Sequence, residues 1–166
     1  SVALRRFAGG EPLRAYAVEL GSLCRASTRL FEALLPREVR LSVLTDTLGP
    51  VVVVDPAVLR EAIGQLVRNG GEAMTGRAGV VTVHVGRVNG ADAASSWRWP
   101  EDWAAVDHEY ACIAVQDEGH GIAVADLARL FEPFFSTKAI GRGLGLSMVG
   151  AALAAVGGAV WAETDV

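Results

Sequence analysis

The run Val51–Val54 reads VVVV and is closed by Pro50 on one side and by Asp55-Pro56 on the other. Four consecutive β-branched residues favour a strand. Aspartate followed by proline is a helix start, because the carboxylate caps free N–H groups and proline is pre-set for the first helical position. This short stretch therefore predicts a strand turning sharply into a helix. The helix is expected over residues 57–74, with Leu59, Ile63, Leu66, Val67 and Ala73 on one side, and TGRAG ends it.

Other segments have their own periods. Residues 20–35 place Leu20, Leu23, Leu30 and Leu34 at helical spacing before Pro36 and are expected to form one helix. Residues 39–44 alternate as a strand, expected to be less buried than the four-valine strand. Residues 80–88 and 110–116 alternate strongly and predict adjacent antiparallel strands, closed by an inserted loop at 89–109 that carries Trp97, Trp99 and Trp103. That loop reads either as an apolar flap over the sheet edge, the preferred reading, or as a docking surface. A short helix at 124–130, a helix at 144–156 ended by Gly157-Gly158 and a last strand at 159–163 complete the order. Helices and strands mix without the strict alternation of a doubly wound sheet, which predicts a two-layer α+β sandwich.

Composition narrows the function. The chain has 166 residues, 51% of them hydrophobic, and a net charge of −4, so a sequence-independent grip on nucleic acid is disfavoured. No apolar run reaches the roughly 18 residues of a spanning helix, and no signal peptide opens the chain. Cys24 and Cys112 are far apart in apolar settings and read as buried reduced thiols. These features fit a cytoplasmic domain without direct membrane contact. Residues 1–12 look like the end of an upstream helix and a linker, residues 13–166 form one domain, and both ends look cut from something longer.

Three motifs could carry chemistry. In DEGHGI, Asp117 leaves a strand and is followed by Gly119 and Gly121; the motif reads equally as a plain turn or as an acceptor beside a backbone open to a flat ligand. In GRGLGL, Gly141, Gly143 and Gly145 lead into a helix whose free N–H groups and positive end suit phosphate, although glycines also permit close helix packing. Asn69, in QLVRNGGEAM, has an amide oxygen able to complete a Mg²⁺ shell, while a helical Asn is more commonly just solvated or capping.

Taken in order, DPAVLREAIGQLVRNGGEAM, DEGHGI, LFEPFFSTK and GRGLGL resemble the Asn box, first glycine box, Phe box and second glycine box of bacterial sensor histidine kinases. Their superfamily, shared with DNA gyrase and mismatch-repair proteins, has the Bergerat or GHKL fold. The resemblance covers residues 55–163. It implies a mixed, mostly antiparallel sheet covered on one face by helices, and the binding of Mg-ATP.

By the resemblance, Asp117 would accept the adenine amine, and Gly119, Gly121 and Ile122 would lie along the purine. Asn69 would bind Mg²⁺, with Gln65 a second candidate ligand. Residues 131–142 would be the ATP lid, with Phe131 against the nucleotide and Phe134 and Phe135 packing it down. Lys138, Gly141, Arg142, Gly143, Leu144, Gly145 and Leu146 would line the phosphates. Asn69, Glu61 and Lys138 would be the catalytic candidates, although Lys138 also reads as a solvated lysine.

Three departures stand out: Gln65 replaces a second Asn or a His, His120 replaces a Pro, and Arg142 stands where Thr is common. The histidines of VTVHVG, VDHEYA and DEGHGI match no phosphoacceptor motif. The resemblance therefore implies transfer to a histidine on a separate upstream dimerisation domain, a homodimeric parent and a response-regulator receiver as partner. A nucleotide-free binding module is the alternative that Gln65 favours. A hydrolytic ATPase is opposed by the lack of a glutamate at position 65, and a serine kinase by the kinase-like lead-in RRFAGGEPLRAYAVEL.

Overall fold

The computed structural model describes residues 14–92, 98–132, 135 and 145–164. Its elements run β1 Tyr16–Glu19, α1 Leu20–Ala26, α2 Thr28–Glu32, β2 Val39–Thr45, β3 Val51–Val54, α3 Pro56–Ala73, β4 Gly79–Asn89, β5 Arg98–Trp99, β6 Glu109–Gln116, α4 Val124–Leu127, α5 Gly145–Ala154 and β7 Val160–Trp161.

The centre is a three-stranded sheet in the order β2-β4-β6, with β2 parallel and β6 antiparallel to β4. The hairpin of β4 and β6 is the one that the alternation predicts. Val81, Val83 and Val85 recur at the strand period, and all three are fully buried against α3 residues Ile63 and Val67. His84, Ala114 and Gln116 on the opposite face are exposed. Helices thus cover one face, as expected. Removing each of these aliphatic side chains from water stabilises the fold by about 1.5–3 kcal/mol.

The start of α3 follows its sequence. Asp55 Oδ1 accepts the Ala57 and Val58 N–H groups at 2.9 and 3.4 Å, with Pro56 in the first turn. The end of α5 is equally local. Gly157 takes φ of +73°, and the Gly158 and Gly157 N–H groups donate back to Leu153 O and Ala154 O. This left-handed helix end is strained for any residue with a β-carbon.

Several expectations need correction. The single helix over 20–35 is two, α1 and α2, broken at Ser27. The buried Ser27 hydroxyl donates to Leu23 O at 2.7 Å and accepts from Arg60 Nε at 3.1 Å, so it serves α3 rather than continuing one helix. Residues 16–19, unassigned from sequence, form β1, because β3 offers them an antiparallel partner with Val18 opposite Val52.

The four-valine strand is more exposed than β2, reversing the expectation. It pairs with β1 outside the central sheet, so Val54 is buried while Val51 and Val53 are 62% and 67% exposed. The insert at 89–109 does more than cover an edge: its β5 pairs antiparallel with β7, Trp99 opposite Val160. The short helix α4 ends at Leu127 instead of 130, and β7 has two residues instead of five.

Candidate nucleotide site

Helix α3 positions the first group of candidates. Glu61, Gln65 and Asn69 are spaced four apart and so share one face. Gln65 Oε1 lies 2.9 Å from the point where a β-carbon on Gly145 would stand. Farther along, Met148 and Ala152 of α5 line a groove with Val58, Glu61 and Ala62 of α3. Helices α3 and α5 therefore pack side by side with opposite chain directions. Asn69 lies one turn, about 6 Å of helix rise, beyond Gln65, toward the C-terminal end of α3 and away from Met148 and Ala152 of α5.

Next to it, Gly70 brings in the DEGHGI loop. A β-carbon on Gly70 would lie 3.2 Å from Asp117 Cβ and 3.5 Å from its Oδ2, so α3 and the exit of β6 touch at this point. Asp117 is half-buried, and its Oδ1 accepts the Gly119 N–H at 2.8 Å. That bond fixes the carboxylate plane, and Oδ2 has no hydrogen-bond partner among the described residues.

The loop lies flat on the end of α3. A β-carbon on Gly119 would meet Ala73 Cβ at 2.6 Å and Ala73 O at 2.8 Å, a collision with backbone that excludes any side chain. Gly121 has φ of +71°, which also calls for glycine. Ile122, half-buried, donates its N–H to Thr164 Oγ1 at 3.1 Å.

Two supports escaped sequence reasoning. Glu118 Oε2 accepts the Val80 N–H at 3.0 Å, tying the loop to the start of β4, and Thr164 holds Ile122 from the end of the chain. Neither has a local pattern to betray it, since each acts on a residue about forty positions away in sequence.

The candidates do not all converge. Asn69, Asp117, Gly119 and Gly121 cluster at the C-terminal end of α3, with Gln65, Gly145 and Leu146 one turn back. Glu61 is exposed and two turns from Asn69, beside the middle of α5. Phe131 is buried, while Phe135 is half-buried with the Arg129 guanidinium 4.4 Å above its ring. Phe134, Lys138, Gly141, Arg142, Gly143 and Leu144 lie outside the described residues.

The donor chemistry suits a magnesium ion that arrives with a phosphate ligand. Asn69 and Gln65 offer neutral amide oxygens, and among the described residues no group of three or more His, Cys, Asp or Glu could hold a metal by itself. Magnesium commonly takes few protein ligands and completes its shell with water and phosphate oxygens. Burial pushes the Cys24 thiol up to about 11 and raises Cys112 as well, so both are held protonated at neutral pH.

A mixed sheet covered on one face by helices, with the glycine-bearing loop after β6 seated on the end of α3, defines an α+β sandwich. The chain belongs to the histidine kinase-, DNA gyrase B- and HSP90-like ATPase family, whose model matches residues 54–166. It is 30% identical to the sensor kinase CckA of Brucella abortus over 98% of this chain and 17% of that protein. It is 34% identical to the sensor histidine kinase ZraS of Escherichia coli K12 over 80% of this chain and 24% of that protein. The chain thus spans less than a quarter of each of these relatives.

Solved structures agree on the fold. The catalytic domain of histidine kinase ThkA superposes with a TM-score of 0.63 at 22% identity, covering 86% of this chain and 82% of that one. Full-length ShkA in complex with AMPPNP gives 0.68 at 24% identity, over 93% of this chain and 30% of that one. Among the described residues no helix is long and apolar enough to cross a membrane.

Proposed function

We propose that this chain is the ATP-binding catalytic domain of a sensor histidine kinase, presenting the γ-phosphate of Mg-ATP to a histidine on a separate dimerisation domain. The observation that supports the reading is the place of Asn69 on α3, one turn beyond the Gln65–Gly145 approach and next to Gly70, which abuts the half-buried Asp117. A helix N-terminus favours negative charge. An amide oxygen one turn beyond that end would suit a cation that arrives with the phosphates.

In this reading Asp117 Oδ2 accepts the adenine amine, Gly119 and Gly121 lie along the ring, and Gly145 and Leu146 begin the phosphate seat. Gly141, Arg142, Gly143 and Leu144 would complete that seat, and Lys138 would add charge from the lid. Asn69 and Gln65 would hold Mg²⁺, which supplies counter-charge to the phosphates. In the reaction the bond from the γ-phosphorus to the β,γ-bridging oxygen breaks, a bond from that phosphorus to the acceptor imidazole nitrogen forms, and ADP leaves. Such transfer is mainly positioning and charge neutralisation. Glu61, two turns from Asn69, remains a secondary catalytic candidate.

The proposed partners are the protein's own upstream dimerisation domain, a second copy of the full-length parent and a response-regulator receiver, with the cytoplasm as the setting. The test incubates this chain with γ-labelled ATP and Mg²⁺, alone and with a separately supplied dimerisation domain. Label on the supplied histidine and none on this chain is expected. Self-labelling at His84, His108 or His120 would refute the assignment, and no heat with millimolar Mg-nucleotide would favour a nucleotide-free binding module.

A further inference from the structure

The insert between β4 and β6 has no place in the nucleotide reading, yet its described part is built onto the α5–β7 unit at three points. Trp99 lies over Gly150: a β-carbon there would be 2.5 Å from the indole Cδ1, 3.0 Å from Nε1 and 3.3 Å from Cγ. Strand β5 pairs with β7, setting Arg98 opposite Trp161 and Trp99 opposite Val160. Trp103 Nε1 donates to Gly157 O at 3.1 Å, at the turn that ends α5. Trp103 is itself braced by Tyr110 of β6, edge to face at 5.5 Å between ring centroids.

Gly150 is otherwise out of character. Glycine in mid-helix weakens the helix relative to alanine, and this one is buried in the middle of a ten-residue helix. The indole occupies the space that a β-carbon would fill. Helix α5 thus lies between α3, through Met148 and Ala152, and the insert, through Gly150. Sliding or tilting α5 along α3 would move Gly145 away from Gln65, and Trp99 resists that motion from another side.

We propose that Trp99 is a positioning residue for phosphate binding: its indole, seated on Gly150, locks α5 so that the N-terminal end of that helix stays in register with Gln65 and Asn69. The inference rests on the proposed nucleotide function. Trp99 touches no reacting atom; it acts through α5. The adenine side of the site is carried by Asp117 and Gly119 on the end of α3; its link to the α5–β7 unit is the Ile122 N–H bond to Thr164 Oγ1, which the Trp99 indole does not make.

The test compares this chain with Trp99→Ala, Trp99→Phe, Gly150→Ala and the double variant Trp99→Ala/Gly150→Ala. Calorimetry measures Mg-ADP, whose phosphates reach α5, and chemical-shift titration measures adenosine, which has none. Trp99→Ala and Gly150→Ala are each expected to weaken Mg-ADP by about tenfold or more, as misplacement of a positioned group does, while adenosine binds as before. Trp99→Phe should recover most of the loss. The double variant should be no worse than Trp99→Ala, because the added methyl then meets no indole.

Parallel loss of adenosine and Mg-ADP would reduce Trp99 to a merely structural residue and overturn the proposal. So would unchanged Mg-ADP binding in both single variants, or strictly additive effects in the double. A parent chain that binds neither ligand overturns the nucleotide function itself, and this inference with it.

Discussion

Gln65 Oε1 and Gly145 meet across the α3–α5 packing, with 2.9 Å between the amide oxygen and the place of an absent β-carbon. The first residue of the helix proposed to seat phosphate thus touches a proposed magnesium ligand with no side chain between them.

Gly145→Ala should therefore turn the Gln65 amide aside. The obstructed atom is the tip of a flexible side chain, so folding stability should change by no more than about 1 kcal/mol, the size of the helix gain from glycine to alanine. The magnesium-dependent part of ATP affinity should fall instead. Titration of an ATP analogue with and without Mg²⁺ reads the difference, and an equal loss in both arms would count against Gln65 as a ligand.

Asp117→Asn should weaken nucleotide binding by roughly ten- to a hundredfold while leaving the fold intact. The Gly119 N–H holds Oδ1, so the variant's amide oxygen stays there and its NH₂ faces the ligand. A donor would then oppose the adenine amine, and the lost charge-assisted bond corresponds to about 1.5–3 kcal/mol. Calorimetry with an ATP analogue checks this, with thermal unfolding of the ligand-free variant as the control.

Stability should fall in alkali because of Cys24. Burial holds the folded thiol's pKa at about 11, against an ordinary value of 9.0. Above the ordinary value the unfolded chain loses this proton while the folded chain keeps it, so stability present below pH 9 is lost as pH rises through 11. The full contribution is about 3 kcal/mol, of which about 2 kcal/mol is lost by pH 10.5. Urea unfolding at pH 8 and pH 10.5 should show the drop, and Cys24→Ala should flatten it.

Asp55→Ala should destabilise the fold by about 1 kcal/mol by leaving the first N–H groups of α3 uncapped, whereas Asp55→Asn should retain most of the stability. Asp55 Oδ2 also accepts the Arg14 N–H at 3.2 Å, so the approach to β1 should loosen as well. Hydrogen exchange at Ala57 and in β1 measures both effects.

What local chemistry dictates was legible without coordinates. The Asp55-Pro56 start of α3, the alternation of Val81, Val83 and Val85, the hairpin of β4 and β6 and the Gly157 end of α5 each depend on neighbours a few residues away or on a strand period. Asp117, Gly119 and Gly121 stood out for the same reason, because their spacing lies in one loop.

Contacts between distant segments were decided only by the tertiary structure. Tyr16–Glu19 is a strand because Val51–Val54 pairs with it, and that pairing leaves Val51 and Val53 exposed despite four consecutive valines. Ser27, where the helix breaks, is held by Arg60 of α3. Trp99 finds Gly150, and Gln65 finds Gly145, only once α5 has packed against α3. Periodicity reports which face of an element is apolar; which partner covers that face depends on chain closure over tens of residues, and a local pattern carries no record of it.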